Sequence, residues 1–228
     1  MKKIQINQDW LKIYALVAMT IDHVAQYLPV PGAVYQRMFI GRTAFPIFAF
    51  LLMYHLCQKQ IYEKYVNRLL FFGILTTVVL FPLQPDHRLN IFFTFLFPVL
   101  TLWGWDQIRK ENMNKIIGVI FAGIILMVMG FLSVFASYSV MGYFYLLCFY
   151  AYFCQSARIW ILPLLVSGFL INWDAQIGYG LVSLITTVFL LQVDMSARYP
   201  RLIKSWWLFY VYFPLHLIVI LSVRYLLS

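Results

Sequence analysis

Long apolar runs separated by short polar intervals make up most of the chain. Read against turn signals, they predict about nine helices, at roughly 11–29, 38–56, 66–83, 89–105, 115–135, 138–154, 159–172, 176–193 and 206–227. A run of about 20 residues, rising 1.5 Å each, spans the hydrocarbon core of a bilayer, so most of these segments are long enough to cross one. The seventh is short and carries Pro163 and Gly168, a pattern that suits a tilted, broken or re-entrant segment enclosed by protein. The longest hydrophilic interval, Asp194 to Ser205, is too short for a separate soluble domain. Residues 1–228 therefore read as one all-α, polytopic membrane helix bundle.

Composition sharpens that picture. Of the residues, 63% are hydrophobic and 11% charged, where a soluble protein carries roughly a quarter charged. The first apolar segment is long, is interrupted by Asp22 and His23, and has no small-residue cleavage site after it, so it reads as an uncleaved first span. The net charge of +9 does not point to nucleic acid, because the basic residues are scattered between apolar spans. They report topology instead. With the N-terminus inside, 13 of the 17 basic residues fall at the inner face: Lys2, Lys3, Lys12, Lys59, Lys64, Arg68, Arg109, Lys110, Lys115, Arg158, Arg198, Arg201 and Lys204. Arg37, Arg88 and Arg224 lie at or near the outer face and Arg42 inside the second span, which gives N-terminus in and C-terminus out. Trp103, Trp105, Trp206 and Trp207 near span ends read as an aromatic belt. Cys57, Cys148 and Cys154 match no zinc or redox spacing and read as thiols acting as small apolar residues.

The candidate chemistry lies where the apolar pattern is broken. In LKIYALVAMTIDHVAQYL, Leu11 to Leu28, Asp22 and His23 stand side by side at membrane depth, where each ionisable group costs a few kcal/mol. Lys12, Ala15, Met19, Asp22, His23 and Gln26 share one side of the helix, which must face protein or a wet cavity. Neighbouring residues diverge by about 100°, so each of the pair must find a partner on another span. Helix rise places Asp22 and His23 roughly 8–9 Å, and Arg42 roughly 6 Å, below the outer ends of their spans. Thr94 lies at similar depth in the fourth span, Asn90 at its lip and His216 near the middle of the last span. Pro46, inside the second apolar run, is expected to kink it beside Arg42. This polar layer reads either as an interhelical salt bridge with a hydrogen-bonded histidine or as an active site. A histidine can take a proton, a carboxylate can orient it, and an arginine can bind a carbonyl or phosphate oxygen.

The motifs LKIYALVAMTIDHVA, IGRTAFPIFAFLL, KYVNRLLFFGILT, LNIFFTF and FYVYFPLHL, in this order, resemble the TraX family of conjugative-plasmid membrane proteins from residue 11 to about 220. The resemblance implies an inner-membrane N-acetyltransferase that caps the amino terminus of a conjugative pilin subunit, with acetyl-CoA as donor; no metal site is expected. It also implies a distant similarity to polytopic acyltransferases that use a first-span histidine. By position, His23 matches the catalytic histidine, with Asp22, Arg42 and His216 as its motif companions. On this reading His23 is the general base, Asp22 orients or stabilises it, and Arg42 and His216 place the acyl oxygen. Asn90 and Thr94 line the reaction layer, and Arg68 is the inner-face cation for the nucleotide of the donor. A covalent acetyl-His23 route is an alternative. Two rivals from other classes are a proton-coupled small-molecule transporter, with Asp22, His23 and Arg42 as a relay, and a non-catalytic pilin-assembly factor.

Overall fold

The computed structural model describes residues 3–80, 88–111, 114–155, 157–173, 177–195 and 208–227. Lys2, Arg198, Arg201, Lys204, Trp206, Trp207 and the expected segment ends at 83, 176 and 206 lie outside them. The described chain is all-α apart from a parallel pairing of two two-residue strands, β1 (Ile4–Gln5) and β2 (Val193–Asp194), and an isolated bridge between Leu89 and Ala136. Its helices are α1 (Gln8–Tyr27), α2 (Ala33–Phe39), α3 (Ala44–Lys59), α4 (Tyr62–Leu80), α5 (Ile91–Lys110), α6 (Lys115–Ser133), α7 (Ser139–Gln155), α8 (Ile161–Leu170), α9 (Ile177–Leu191) and α10 (Leu208–Leu227). Single 3-10 turns at Gly41–Thr43 and Arg158–Trp160 precede α3 and α8. Four stretches are both long and apolar enough to cross a bilayer: Ala33–Lys59, Ile91–Lys110, Lys115–Ser133 and Leu208–Leu227. They make this a membrane protein.

The expected second helix is divided. Residues 38–56 were expected to form one helix kinked at Pro46, yet the break falls earlier, between α2 and α3, and Arg42 sits in the 3-10 turn between them. Pro46 is the third residue of α3, where a missing N–H removes no helical bond, so it starts a helix and kinks none. The short seventh segment is resolved into a 3-10 turn and the ten-residue α8, with Pro163 again in a first turn.

The chain forms two compact units, one taking it up to Leu52 and again from Arg158, the other taking Met53–Ala157. In the first, α1 packs on α2, on the 3-10 turn at Gly41–Thr43 and on α10, while α9 packs on α2, on the same turn and on α8. The buried face of α1 is a stripe of Leu11, Ala15, Ala18, Met19, Asp22 and Ala25, whose small residues let neighbouring helices approach closely. At the α8–α9 crossing, Gly180 permits contact with backbone, because a Cβ there would stand 2.7 Å from the Phe169 carbonyl oxygen.

In the second unit α5 packs on α4, α6 and α7. Asn90 caps α5 by accepting from the Phe92 N–H at 3.0 Å and donates to the Gly73 carbonyl at 2.8 Å and to Thr77 Oγ1 at 2.9 Å. Phe97, Ala136 and Tyr143 form a core cluster, and the Tyr143 hydroxyl meets Thr101 Oγ1 at 2.8 Å. α6 exposes apolar side chains such as Ile116, Val119, Met127 and Phe131, as a lipid-facing helix does. The cysteine expectation needs correction here: Cys57 and Cys154 are joined in a disulfide, with Cα atoms 5.6 Å apart, and only Cys148 is a buried thiol. The two partners are 97 residues apart, at the C-terminal ends of α3 and α7, so no local spacing announces them.

Candidate active site

Within the first unit, the dipeptide Asp22-His23 of α1 sends its side chains to two different sets of partners, as the turn angle of a helix requires. Asp22 lies against the 3-10 turn. Gly41 makes this possible, since a Cβ at that position would stand 2.5 Å from Asp22 Oδ1 and 2.6 Å from its Cβ. Buried Asp22 is flanked by two guanidinium groups, with Arg37 Nε and Arg42 Nε each 3.6 Å from Oδ1. Both distances are those of ion pairs and exceed a good hydrogen bond.

Arg42 has further partners within the same unit. Its guanidinium carbon lies 5.1 Å from the centre of the Tyr179 ring of α9, in cation–π range. Its Nη1 donates to Asn172 Oδ1 at 3.4 Å, and Asn172 Nδ2 donates to Ser183 Oγ at 2.6 Å, so this buried asparagine ties the arginine to α9. Arg37, on α2, donates from Nη2 to Gln26 Oε1 at 3.4 Å.

His23 turns the other way, to α10. Its Nδ1 is 2.7 Å from His216 Nε2, and His216 Nδ1 is 2.9 Å from the Tyr212 carbonyl oxygen. A carbonyl can only accept, so His216 Nδ1 carries a proton. In the neutral pair His216 Nε2 then accepts, His23 Nδ1 donates, and the remaining lone pair of His23 is on Nε2, which has no hydrogen-bond partner among the described residues. The Tyr212 ring stacks on His216 at 5.0 Å, and Phe213 meets His23 edge-on at 5.8 Å. Thr20 Oγ1 donates to the Leu16 carbonyl at 2.8 Å and accepts from the Tyr212 hydroxyl at 2.7 Å, so α1 and α10 are joined one turn further along. The arrangement is a base held in one tautomer beside a cluster of two positive and one negative charges.

Of the residues singled out in the sequence, the structure thus brings Asp22 with Arg42, and His23 with His216. Asn90, Thr94 and Arg68 belong to the second unit: Asn90 is engaged in capping, Thr94 is buried on α5, and Arg68 is half-buried near the start of α4. Among the described residues no cluster of three or more His, Cys, Asp or Glu side chains offers a metal site. Sequence reading missed Arg37, Asn172, Tyr179, Ser183 and Tyr212. Only Tyr212 left a local trace, standing four residues before His216 on one helix face.

A family model described as "TraX protein" matches residues 7–224. Among curated proteins, "Probable fimbrial assembly protein FimC, serogroup H1" of Dichelobacter nodosus is 33% identical over 76 residues, covering 32% of this chain and 31% of that protein. An uncharacterized protein of Rickettsia prowazekii (strain Madrid E) is 39% identical over 71 residues, covering 31% of this chain and 26% of its own length. The chain therefore spans less than a third of either relative. No solved structure matches.

Proposed function

The chain belongs to the TraX family, and from this membership and the histidine pair we propose that it transfers an acetyl group from acetyl-CoA to the N-terminal amine of a pilin subunit. The observation that carries the reading is the chain His23–His216–Tyr212 carbonyl, which fixes the imidazole of His23 with its basic nitrogen, Nε2, toward neither histidine nor backbone. That nitrogen removes a proton as the acceptor amine attacks the acetyl carbonyl carbon. A C–N bond forms, negative charge gathers on the carbonyl oxygen, and Arg42 offsets it. The C–S bond then breaks, and the proton held by His23 goes to the departing sulfur, so the products are the N-acetylated chain and free CoA thiol. Asp22 holds Arg42 in place and lowers the charge of the cluster. His216 positions His23 and can share its proton, which departs from the oxygen-placing role expected for it.

We propose the bacterial inner membrane as the location, with several spans, N-terminus in and C-terminus out, since the inner-face excess of lysine and arginine favours this orientation. The donor then arrives from the inner face and the acceptor amine from the outer. The fimbrial-assembly name of the Dichelobacter relative favours a pilus setting and also fits a non-catalytic assembly factor. Mass spectrometry of the pilin separates the two: an acetyl group on its first residue, dependent on this chain, supports transfer, and unmodified pilin from cells that carry the chain contradicts it.

A further inference from the structure

The chemistry above uses the backbone carbonyl of Tyr212 and leaves its side chain, and that of Thr20, without a task. We infer that these two side chains are positioning residues for the transfer: the bond between their hydroxyls decides which nitrogen of His23 is the base. The purpose of this device rests on the acetyl-transfer reading, and its substance on the geometry of α1 and α10. A hydrogen-bonded pair of neutral imidazoles has two proton arrangements. In one, each Nδ1 carries a proton, His23 Nδ1 donates to His216 Nε2 at 2.7 Å, and the lone pair of His23 lies on Nε2. In the other, each Nε2 carries the proton and His216 Nε2 donates to His23 Nδ1. The lone pair of His23 is then taken up by its neighbour, and nothing is left to remove a proton from an amine.

The first arrangement is selected by the Tyr212 carbonyl oxygen, 2.9 Å from His216 Nδ1, because in the second two acceptors would face each other there. That selection holds only while the His216 ring keeps its orientation, and the Tyr212 side chain supplies this. The two rings, four residues apart on one face of α10, stack with centroids 5.0 Å apart and planes 11° from parallel. The Tyr212 ring is anchored in turn at its hydroxyl. Thr20 Oγ1 gives its single proton to the Leu16 carbonyl at 2.8 Å, so the Tyr212 hydroxyl donates to Thr20 Oγ1 at 2.7 Å. Thr20 stands three residues before His23 on α1, so the same bond fixes the two helices within one turn of the histidines. Tyr212 thus holds His216 through ring and carbonyl, and α1 through its hydroxyl.

The test reads proton positions and needs no substrate. Full-length protein with isotope-labelled histidine ring nitrogens is purified in detergent, and NMR spectra are recorded at mildly alkaline pH, where an ordinary imidazole is neutral. The chain has four histidines, so His55→Gln and His87→Gln identify the signals of the pair by elimination. The parent protein should show both members of the pair as Nδ1–H tautomers. Tyr212→Phe keeps the stacked ring and the carbonyl and removes only the hydroxyl, while Thr20→Val removes the partner at equal size. Each should shift the tautomer ratio toward Nε2–H by about three- to tenfold, in both histidines together, as loss of one hydrogen bond allows. The double variant should shift it no further, and Thr20→Ser should keep the parent ratio. Parent tautomers in both single variants overturn the inference even where the unfolding midpoint falls, since a mere packing contact changes stability alone. Shifts that add in the double variant overturn it as well, because they report two separate effects. Where transfer is measured, both single variants should lower kcat with KM unchanged. A tautomer shift in a protein that transfers no acetyl group leaves the positioning standing and removes the reading it serves, so the two fail separately.

Discussion

Asp22 and His23 are adjacent in the chain and separate in the structure, and their substitutions should behave differently for that reason. Asp22 compensates two arginines, so Asp22→Asn leaves buried positive charge and should lower the amount of folded protein. A second change, Arg42→Gln, should partly restore it, as measured by immunoblot of membrane fractions. Gly41 has no side chain because Asp22 occupies its place. Gly41→Ala should cost about 1–3 kcal/mol in thermal unfolding. In combination with Asp22→Ala the two losses should fall well short of their sum, and strict additivity would place the clash elsewhere. The need for partners was legible in the sequence, because two ionisable groups at membrane depth cannot stay unpaired. The identity of most partners was not. Counting residues places Arg37 near the outer face without showing that it meets Asp22, and Asn172 and Ser183 carry no signal beyond their own polarity.

At the scale of elements, apolar run length located the helices well, since each run must bury or expose its backbone as a complete unit. The break at Gly41–Thr43 was hidden because the apolar run continues on both sides of it and the residue that needs the break, Asp22, lies on another helix. Pro46 misled for the same reason: its role depends on where the helix begins. Pro46→Ala should therefore leave thermal stability nearly unchanged, while a large loss would mean that the proline holds a bend in the helix. Asn90 makes two hydrogen bonds that hold the start of α5 against α4 and a third that caps α5, so Asn90→Ala should cost about 1–3 kcal/mol in the same measurement. The disulfide between Cys57 and Cys154 was illegible because its partners are brought together by helix packing across 97 residues.

For the whole molecule, charge and the disulfide make distinct demands. In the orientation proposed from the lysine and arginine excess, the ends of α3 and α7 face the inner side, a compartment that keeps thiols reduced. The proposed orientation thus predicts that the disulfide seen in the structure is reduced in intact cells, where Cys57 and Cys154 then react with a membrane-permeant maleimide, and that it forms once membranes are treated with a thiol oxidant. Protection in untreated cells would point to the oxidising side and reverse the orientation. Reporters inserted between Asn112 and Met113, or fused after Ser228, should read inner and outer face respectively. The central claim, that His23 is the base of an acetyl transfer, is tested most directly by acetylation of the pilin amino terminus per molecule of membrane-inserted protein, with parent and His23→Gln matched in amount. Glutamine approximates the size and polarity of the imidazole but cannot take up the proton, so transfer should fall by a factor on the order of 10²–10⁴. Transfer by His23→Gln close to that of the parent protein would contradict the claim and leave the histidine pair as a packing contact between α1 and α10.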